Sequence, residues 1–211
     1  YIKMMEEEAP DEFNQFFTGD NPQDYYEANK PEREPETFAT ADEVRALKAV
    51  NLKNVDLNGN HADSDSAKAG AIYSKGNLKL TADDGKTHSI SGNYTTNADG
   101  NKEYNAIYMD KNSKLILDSV NSSNIQIDDK ITGDRYNVYL IGDDKSKITL
   151  NNKIVNSKSI HLYDTTLHLA KDESVLDNTD FTAHSGTIDF INDKIGQTNF
   201  NSFTITGDIK V

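Results

Sequence analysis

From residue 50 onward, apolar and polar side chains alternate over short runs. Gly, Asn, Asp, Ser or Lys residues bound each run. The apolar residues fall into pairs two positions apart: Val50 and Leu52, Val55 and Leu57, Leu78 and Leu80, Leu115 and Leu117, Ile125 and Ile127, Ile148 and Leu150, Ile160 and Leu162, Leu167 and Leu169, and Ile188 and Phe190. Because successive side chains of a strand point to opposite faces, this period predicts short β-strands with one buried face. The lack of interleaved helical patterns argues against a doubly wound sheet or a (β/α) barrel.

A short motif recurs at uneven spacing along the same region. It consists of an aliphatic residue, any residue, Gly, and then Asn or Asp, and its copies are Leu57–Asn60, Ile90–Asn93, Ile131–Asp134 and Ile205–Asp208. Gly permits a sharp turn, and Asn or Asp secures it with a side-chain hydrogen bond. A strand that ends repeatedly in such a corner is typical of a coiled, repeating chain. Extra residues between corners must leave the stack as loops, where we expect any binding site.

The runs superpose in groups of three. Ala71–Tyr73, Ala106–Tyr108 and Val138–Leu140 are interpreted as equivalent strands, each followed by two further runs, with longer loops such as 94–104 at one corner. The pattern predicts a mainly β fold, a right-handed parallel β-helix over residues 50–211 with three strands per coil and about four to five coils. We expect this stack to be C-terminally truncated in this chain.

Several segments resemble the passenger domains of bacterial autotransporters, including the polymorphic outer-membrane protein group. Gly70–Leu78 followed by Ile90–Asn93 is similar to their Gly-Gly-Ala-Ile and Phe-x-x-Asn repeats, although a single Gly and aliphatic residues stand here. Gly186–Phe190 and Phe203–Asp208 are similar to their later rungs, and Thr40–Leu47 to the helix before the first rung. The resemblance implies a secreted or cell-surface β-helix, anchored in the outer membrane through a C-terminal barrel that is not present in this chain.

The first 50 residues have a different composition, because they hold all four prolines and an excess of acidic side chains. Residues 1–37 are predicted to form short helices and to be partly flexible, with Phe13, Phe16 and Phe17 on one helical face. Disorder is the alternative over residues 18–38.

Residues 38–50 are predicted to form a capping helix. Thr40–Glu43 is a capping box, and Val44 and Leu47 then share one apolar face. We expect this helix to pack over the N-terminal end of the stack, where an open sheet edge would otherwise pair with other strands.

Charge and composition narrow the set of partners. The net charge of -13 argues against nucleic acid and anionic membranes, because phosphate contacts need clustered Lys and Arg. The sequence contains no Cys, which excludes disulfides and thiolate metal sites, and no apolar run long enough for a transmembrane helix. No cofactor is expected. Residues 56–60 begin like an EF-hand loop, but His61 and Ala67 break its pattern, so only adventitious Ca²⁺ on the loop 56–65 stays open.

Two groups of residues are candidates for chemistry, each with a plainer alternative. His161 and His168 each lie between inward aliphatics, so they point outward and form either a metal pair or ordinary surface positions. The remaining candidates are carboxylates near Arg135, which are either the acid pair of a carbohydrate-active enzyme or turn residues: Asp110, Asp128, Asp129 and Asp134.

The predicted function is binding without catalysis. The chain is expected to act in adhesion or self-association, with a host or neighbouring-cell surface protein or glycan as partner, and without being embedded in a membrane itself. Tyr73, Tyr108 and Tyr139 are the candidate binding residues, because stacked exposed aromatic side chains grip sugars or peptides. The alternatives are a polysaccharide lyase or glycosidase on the same fold and a purely structural spacer.

Overall fold

The computed structural model describes residues 38, 40–169, 176, 178–190 and 200–211, which all belong to one compact unit. The helices predicted within residues 1–37 lie outside the described residues and stay a prediction. Within the described part, the fold is mainly β, with a single short helix.

The helix α1 spans Ala41–Arg45. The strands are, in chain order, β1 (Val50–Lys53), β2 (Leu57–Asn58), β3 (His61–Asp63), β4 (Ile72–Ser74), β5 (Leu78–Ala82), β6 (Thr87–Ser91), β7 (Tyr94–Thr96), β8 (Lys102–Met109), β9 (Lys114–Ser119), β10 (Asn124–Ile127), β11 (Lys130–Gly133), β12 (Tyr136–Gly142), β13 (Lys147–Leu150), β14 (Ser157–Tyr163), β15 (Thr165–Leu169), β16 (Asp180–Ala183), β17 (Gly186–Phe190), β18 (Ser202–Ile205) and β19 (Ile209–Lys210).

The strands form two long parallel sheets and one shorter sheet. Sheet A has the order β1-β5-β9-β12-β14-β16-β18, and sheet B has the order β2-β6-β10-β13-β15-β17-β19. The chain passes from sheet A to sheet B and back, and each new strand lies beside the one from the preceding passage. Sheet C has the order β3-β7-β8-β11, with β4 also paired to β8, and its β7–β8 pair is antiparallel.

The core lies between sheets A and B, and residues of sheet C such as Ile107, Met109 and Ile131 complete it in the earlier passages. Its side chains form columns, because residues paired in parallel register point the same way in every strand. One column of sheet A runs from Leu78 through Leu115, Val138 and Ile160 to Phe181. Each of these side chains is buried, at about 1.5–3 kcal/mol of hydrophobic stabilisation per large apolar side chain. The predicted inward alternation is thus confirmed through the middle of the stack.

The predicted number and alignment of coils were wrong. Sheets A and B each contain seven strands, more than four or five coils would provide. Val138–Leu140 pairs with Leu115–Leu117 in sheet A, whereas Ala106–Tyr108 lies in β8 of sheet C. Within the described chain, a third strand per coil is present only in the earlier passages. After β11, the third side is represented only by an isolated parallel β-bridge between Ile131 and Ile154.

The helix begins where the capping box predicts but packs elsewhere. The Thr40 side chain accepts from the Glu43 amide, and the Glu43 side chain accepts from the Thr40 amide. Ala41 and Val44 are buried on the outer face of sheet A, against a patch that is itself apolar: Ile116, Tyr139, Ile141 and Tyr163. The helix therefore covers the flank formed by β9, β12 and β14, and not the N-terminal end of the stack over which it was expected to pack.

Candidate functional site

Buried polar residues stabilise the turns at which one strand ends and the chain changes direction. Asn93 is fully buried, and its amide nitrogen Nδ2 donates to the Leu57 carbonyl at 2.6 Å and to Asp129 Oδ2 at 2.8 Å. Its Oδ1 in turn accepts from Asn60 Nδ2 at 2.9 Å. Three successive corners are thereby tied together through polar groups that are buried at Asn93 and Asp129 and exposed at Asn60.

Two of the four Gly-containing corners are structurally equivalent. Leu57 pairs with Ile90, and the glycines that follow, Gly59 and Gly92, both adopt the left-handed conformation that favours glycine. Ile131, Thr132 and Gly133 instead lie within β11 of sheet C, and Ile205 ends β18 of sheet A. The interpretation of the motif as one repeated corner is therefore confirmed for the first two copies and wrong for the others.

The loop 94–104 forms an antiparallel hairpin that leaves the stack at such a corner. Its strand β7 follows Asn93 directly and pairs with β3 on one side and with the first half of β8 on the other. The second half of β8 returns to parallel pairing with β4 and β11. Strand β8 thus links the antiparallel hairpin to the parallel strands of sheet C.

One candidate binding group, the Tyr73 cluster, consists of Lys68, Tyr73, Lys75 and Tyr108. Tyr73 and Tyr108 pair in register, with ring centroids 5.5 Å apart in an edge-on arrangement. Lys68 Nζ lies 4.4 Å from the Tyr108 ring centroid and Lys75 Nζ lies 5.9 Å from that of Tyr73, within the range of cation–π attraction. Tyr73 remains 48% exposed.

A second group, the Tyr94 cluster, consists of His61, Tyr94, Lys102 and Tyr104. The His61 and Tyr94 rings stack with centroids 5.4 Å apart, and Tyr104 meets Tyr94 edge-on at 5.9 Å. Lys102 Nζ lies 4.0 Å from the Tyr94 ring centroid, and Tyr104 is 52% exposed. Cross-strand pairing brings these residues together from β3, β7 and β8.

The sequence predicted that Tyr73 and Tyr108 lie together. It predicted neither the Tyr94 cluster nor the burial of Tyr139. Tyr94 and Tyr104 bracket a segment with Asn97 and Gly100, a hairpin signal that would have placed them opposite each other. Tyr139 does not join Tyr73 and Tyr108. It lies in β12 of sheet A, fully buried, with Phe38 edge-on to its ring at 5.5 Å.

Tyr139 belongs instead to a buried aromatic cluster with two histidines. Its ring stacks on His161 at 5.2 Å, and His161 Nδ1 lies 3.3 Å from His184 Nε2. Burial, and then the neighbouring His184, lower the pKa of His161 from 6.5 to about 4. Burial likewise lowers the pKa of His184, so both rings are neutral near pH 7.

The two histidines proposed as a metal pair lie in different sheets. His161 is in β14 of sheet A, and His168 is in β15 of sheet B, where its Nδ1 lies 3.2 Å from Asp189 Oδ2. In the described part of the chain, no group of three or more His, Cys, Asp or Glu side chains is arranged to hold a metal ion. Ca²⁺ on the loop 56–65 stays a prediction.

Three of the carboxylates proposed near Arg135 accept hydrogen bonds mainly from residues in neighbouring passages of the chain. Asp129 accepts from the Gly92 and Asn93 amides, Asp128 accepts from Asn151 Nδ2, and Asp110 accepts from the Tyr73 hydroxyl and the Lys111 amide. Asp134 follows β11 directly, and Arg135 lies between β11 and β12 with a left-handed backbone. Of these contacts, only the one between Asp110 and the Lys111 amide is the local backbone hydrogen bond that the turn-residue alternative predicts, whereas the others join successive passages of the chain.

A shallow concavity of about 560 Å³ lies along the corner between sheets A and B in the last passages. Its polar lining includes three carboxylates and one ammonium: Asp144, Asp164, Asp208 and Lys210. Asp164 is held by Ser185, whose hydroxyl donates to Asp164 Oδ1 at 2.6 Å.

Comparison with models of protein families, with curated proteins and with solved structures finds no match to this chain. None of the described helical segments is long and apolar enough to cross a membrane.

Proposed function

We propose that the chain is a right-handed parallel β-helix of a secreted or cell-surface protein of autotransporter-passenger type, and that it binds a partner without catalysis. The long parallel sheets, with strands added alternately to each, support the architecture. The Gly70–Leu78 and Ile90–Asn93 segments support the family. Localisation at the cell surface follows from that resemblance.

The observation that carries the binding role is the pair of tyrosine clusters on sheet C. Tyrosine is enriched at the centres of protein interfaces, because its large ring is rigid and its hydroxyl forms a hydrogen bond. Lysines over the ring faces add charge for an acidic group of the ligand. The contacts of Asn93 with Asn60 and Asp129 hold the starts of β3 and β7, which bear His61 and Tyr94, and this lowers the entropy lost on binding.

Binding to arrays of glycans and of host surface proteins tests this role. We expect Tyr73→Ala with Tyr108→Ala, or Tyr94→Ala with Tyr104→Ala, to weaken capture of the ligand by about tenfold or more, as for interface hot spots. The matched control is Thr87→Ala with Thr204→Ala, two exposed positions on the outer faces of sheets B and A. Equal loss from tyrosine and threonine variants, or no ligand at all, would contradict the proposal.

The concavity at the A–B corner favours a second candidate, a carbohydrate-active enzyme. Converging Asp and Lys side chains are what a glycosidase or lyase requires to hold an acidic sugar and move a proton. Incubation with acidic polysaccharides and measurement of new reducing ends tests it. Turnover that Asp164→Asn abolishes would favour the enzyme, and intact polysaccharide would favour binding alone.

A further inference from the structure

The Tyr73 cluster and the Tyr94 cluster repeat one arrangement of side chains. In the first, the exposed ring of Tyr73 meets the half-buried ring of Tyr108 edge-on, with centroids 5.5 Å apart. In the second, the exposed ring of Tyr104 meets the half-buried ring of Tyr94 in the same manner, at 5.9 Å. The first pair comes from β4 and β8 and the second from β7 and β8, so the arrangement is built twice from different strand pairs. Each cluster therefore offers one open ring beside one covered ring.

A lysine ammonium group lies over the covered ring of each pair. Lys68 Nζ is 4.4 Å from the Tyr108 ring centroid, and Lys102 Nζ is 4.0 Å from that of Tyr94. Lys68 Nζ is also 5.4 Å from the centroid of Tyr73. Lys102 precedes Tyr104 by two residues in β8, so the two side chains leave the strand on the same face. Cation–π attraction thus confines a positive charge beside each open ring without neutralising it.

No carboxylate balances these two charges within the described chain. Three other lysines form ion pairs: Lys53 with Asp83, Lys86 with Asp84, and Lys130 with Glu103. Among the described residues, none places a carboxylate oxygen within ion-pair distance of Lys68 or Lys102. The ammonium groups beside the open rings are therefore available to an acidic ligand.

The two clusters are neighbours, joined at Gly70 and Asn105. The Gly70 amide donates to the Asn105 carbonyl, and a side chain at Gly70 would collide with the Tyr94 backbone. Asn105, which follows Tyr104 in the chain, also donates from Nδ2 to the Lys68 carbonyl. A ligand that repeats along its length can therefore contact both clusters at once, which raises its overall affinity above that for either cluster.

We infer that the two clusters together bind an acidic glycan whose sugars carry carboxylate groups, an inference that rests on the binding role proposed for the same tyrosines. One face of a sugar ring packs on the open ring of Tyr73 or Tyr104. The carboxylate of that sugar then forms a charge-assisted hydrogen bond with the ammonium group of Lys68 or Lys102. The two copies of the arrangement take two sugars of one chain.

The surroundings of the clusters favour a carboxylated sugar over other acidic ligands. The net charge of -13 repels densely charged polyanions, so one carboxylate per sugar suits this surface better than several sulfates. Asp110 accepts from the Tyr73 hydroxyl at 3.3 Å, and its carboxylate is an acceptor for the hydroxyl groups of a sugar, which an acidic peptide offers far less often.

Isothermal titration calorimetry tests the inference with an oligogalacturonate and with the same oligosaccharide after reduction of its carboxyl groups. We expect the wild type to bind the acidic form about tenfold or more tightly than the reduced form, because only the acidic form engages both lysines. Lys68→Gln with Lys102→Gln should lose this preference and keep the affinity for the reduced form, since the tyrosine rings remain. The matched control is Lys86→Gln, whose lysine pairs with Asp84 and should not affect either affinity.

Equal affinity of the wild type for the two forms, no binding of the oligogalacturonate, or a preference that the lysine variants retain would each overturn the inference. Tighter binding of a sulfated heparin fragment than of the oligogalacturonate would overturn it as well. The tyrosine variants decide the proposed function separately. If Tyr73→Ala with Tyr108→Ala weakens capture of another ligand, the binding role stands and only the ligand class is wrong.

Discussion

At the scale of single residues, Asn93 stabilises the corners through hydrogen bonds that water cannot replace. Its side chain is fully buried and contacts Leu57, Asn60 and Asp129. Replacement by Ala leaves the buried Asp129 carboxylate with fewer donors, and we expect the free energy of unfolding to fall by about 2–3 kcal/mol. Urea unfolding followed by circular dichroism measures this change. Asn58→Ala, at an exposed corner position, is the control and should cost less than about 1 kcal/mol.

His161, which is buried beside the half-buried His184, makes stability depend on pH. His161 has a folded pKa of about 4 against 6.5 in an unfolded chain. Between these values the unfolded chain binds more protons than the folded protein, so the free energy of unfolding falls as the pH drops from about 6.5 to about 4. Above pH 6.5 the neutral His161 does not reduce the free energy of unfolding. Acidification to below pH 4 lowers the free energy of unfolding by on the order of 3 kcal/mol through this residue.

Urea unfolding at a series of pH values measures how the free energy of unfolding depends on pH. Two variants then show whether His161 causes this dependence. His161→Gln should flatten the stability profile between about pH 6.5 and pH 4, because the group that protonates on unfolding is gone. Thr87→Ala, an exposed substitution that removes no titratable group, should leave the profile as in the wild type. A profile that stays as steep in His161→Gln would show that other groups cause the acid sensitivity.

At the scale of secondary-structure elements, one arginine secures α1 to the flank of sheet A. Arg45 Nε donates to Asp118 Oδ1 at 3.1 Å, and its Nη2 donates to the Gly142 carbonyl at 2.7 Å. Asp118 is buried, and burial raises the pKa of its carboxyl group. Arg45→Ala therefore leaves a buried carboxylate without its charge partner, and we expect a loss of about 2–3 kcal/mol in the free energy of unfolding.

A matched control compares this ion pair with an exposed one. Lys53 and Asp83 form an ion pair on the surface, so Lys53→Ala should change the free energy of unfolding by less than about 1 kcal/mol. Both variants are compared with the wild type by urea unfolding at neutral pH. Equal effects in the two variants would mean that the Arg45 contact stabilises the protein no more than a surface pair does.

The sequence predicts the strands better than it predicts their partners. The alternation around Leu78, Leu115 and Ile160 identifies inward positions, because it depends only on neighbouring residues. The sheet that a strand joins depends on the length of the preceding loop, so Val138–Leu140 was aligned with the wrong strand. Burial of an outward residue depends on what covers it, and Tyr139 is buried because a distant segment, Phe38 and α1, packs on its face.

In the candidate site, too, the sequence predicts contacts that depend on neighbouring residues but not those that depend on how distant strands pair. Tyr73 and Tyr108 follow equivalent Ala-Ile pairs, and this local likeness was enough to predict their contact. Lys68 and Lys102 reach the tyrosine rings across strands, so their roles depend on register that composition does not specify. His61 meets Tyr94 for the same reason.

At the scale of the whole molecule, stability depends on contacts between successive strands of each sheet. Leu140 lies in the middle of sheet A and packs between β9 and β14, so Leu140→Ala should lower the free energy of unfolding by about 3 kcal/mol. Since each strand contacts mainly its neighbours, amide hydrogen exchange should be slowest in β9, β12 and β14 and fastest in β1 and β18. We expect Leu140→Ala to speed amide hydrogen exchange in β9, β12 and β14 before it does so in the other strands. Equal acceleration in all strands would instead mean that the stack unfolds as a single cooperative unit.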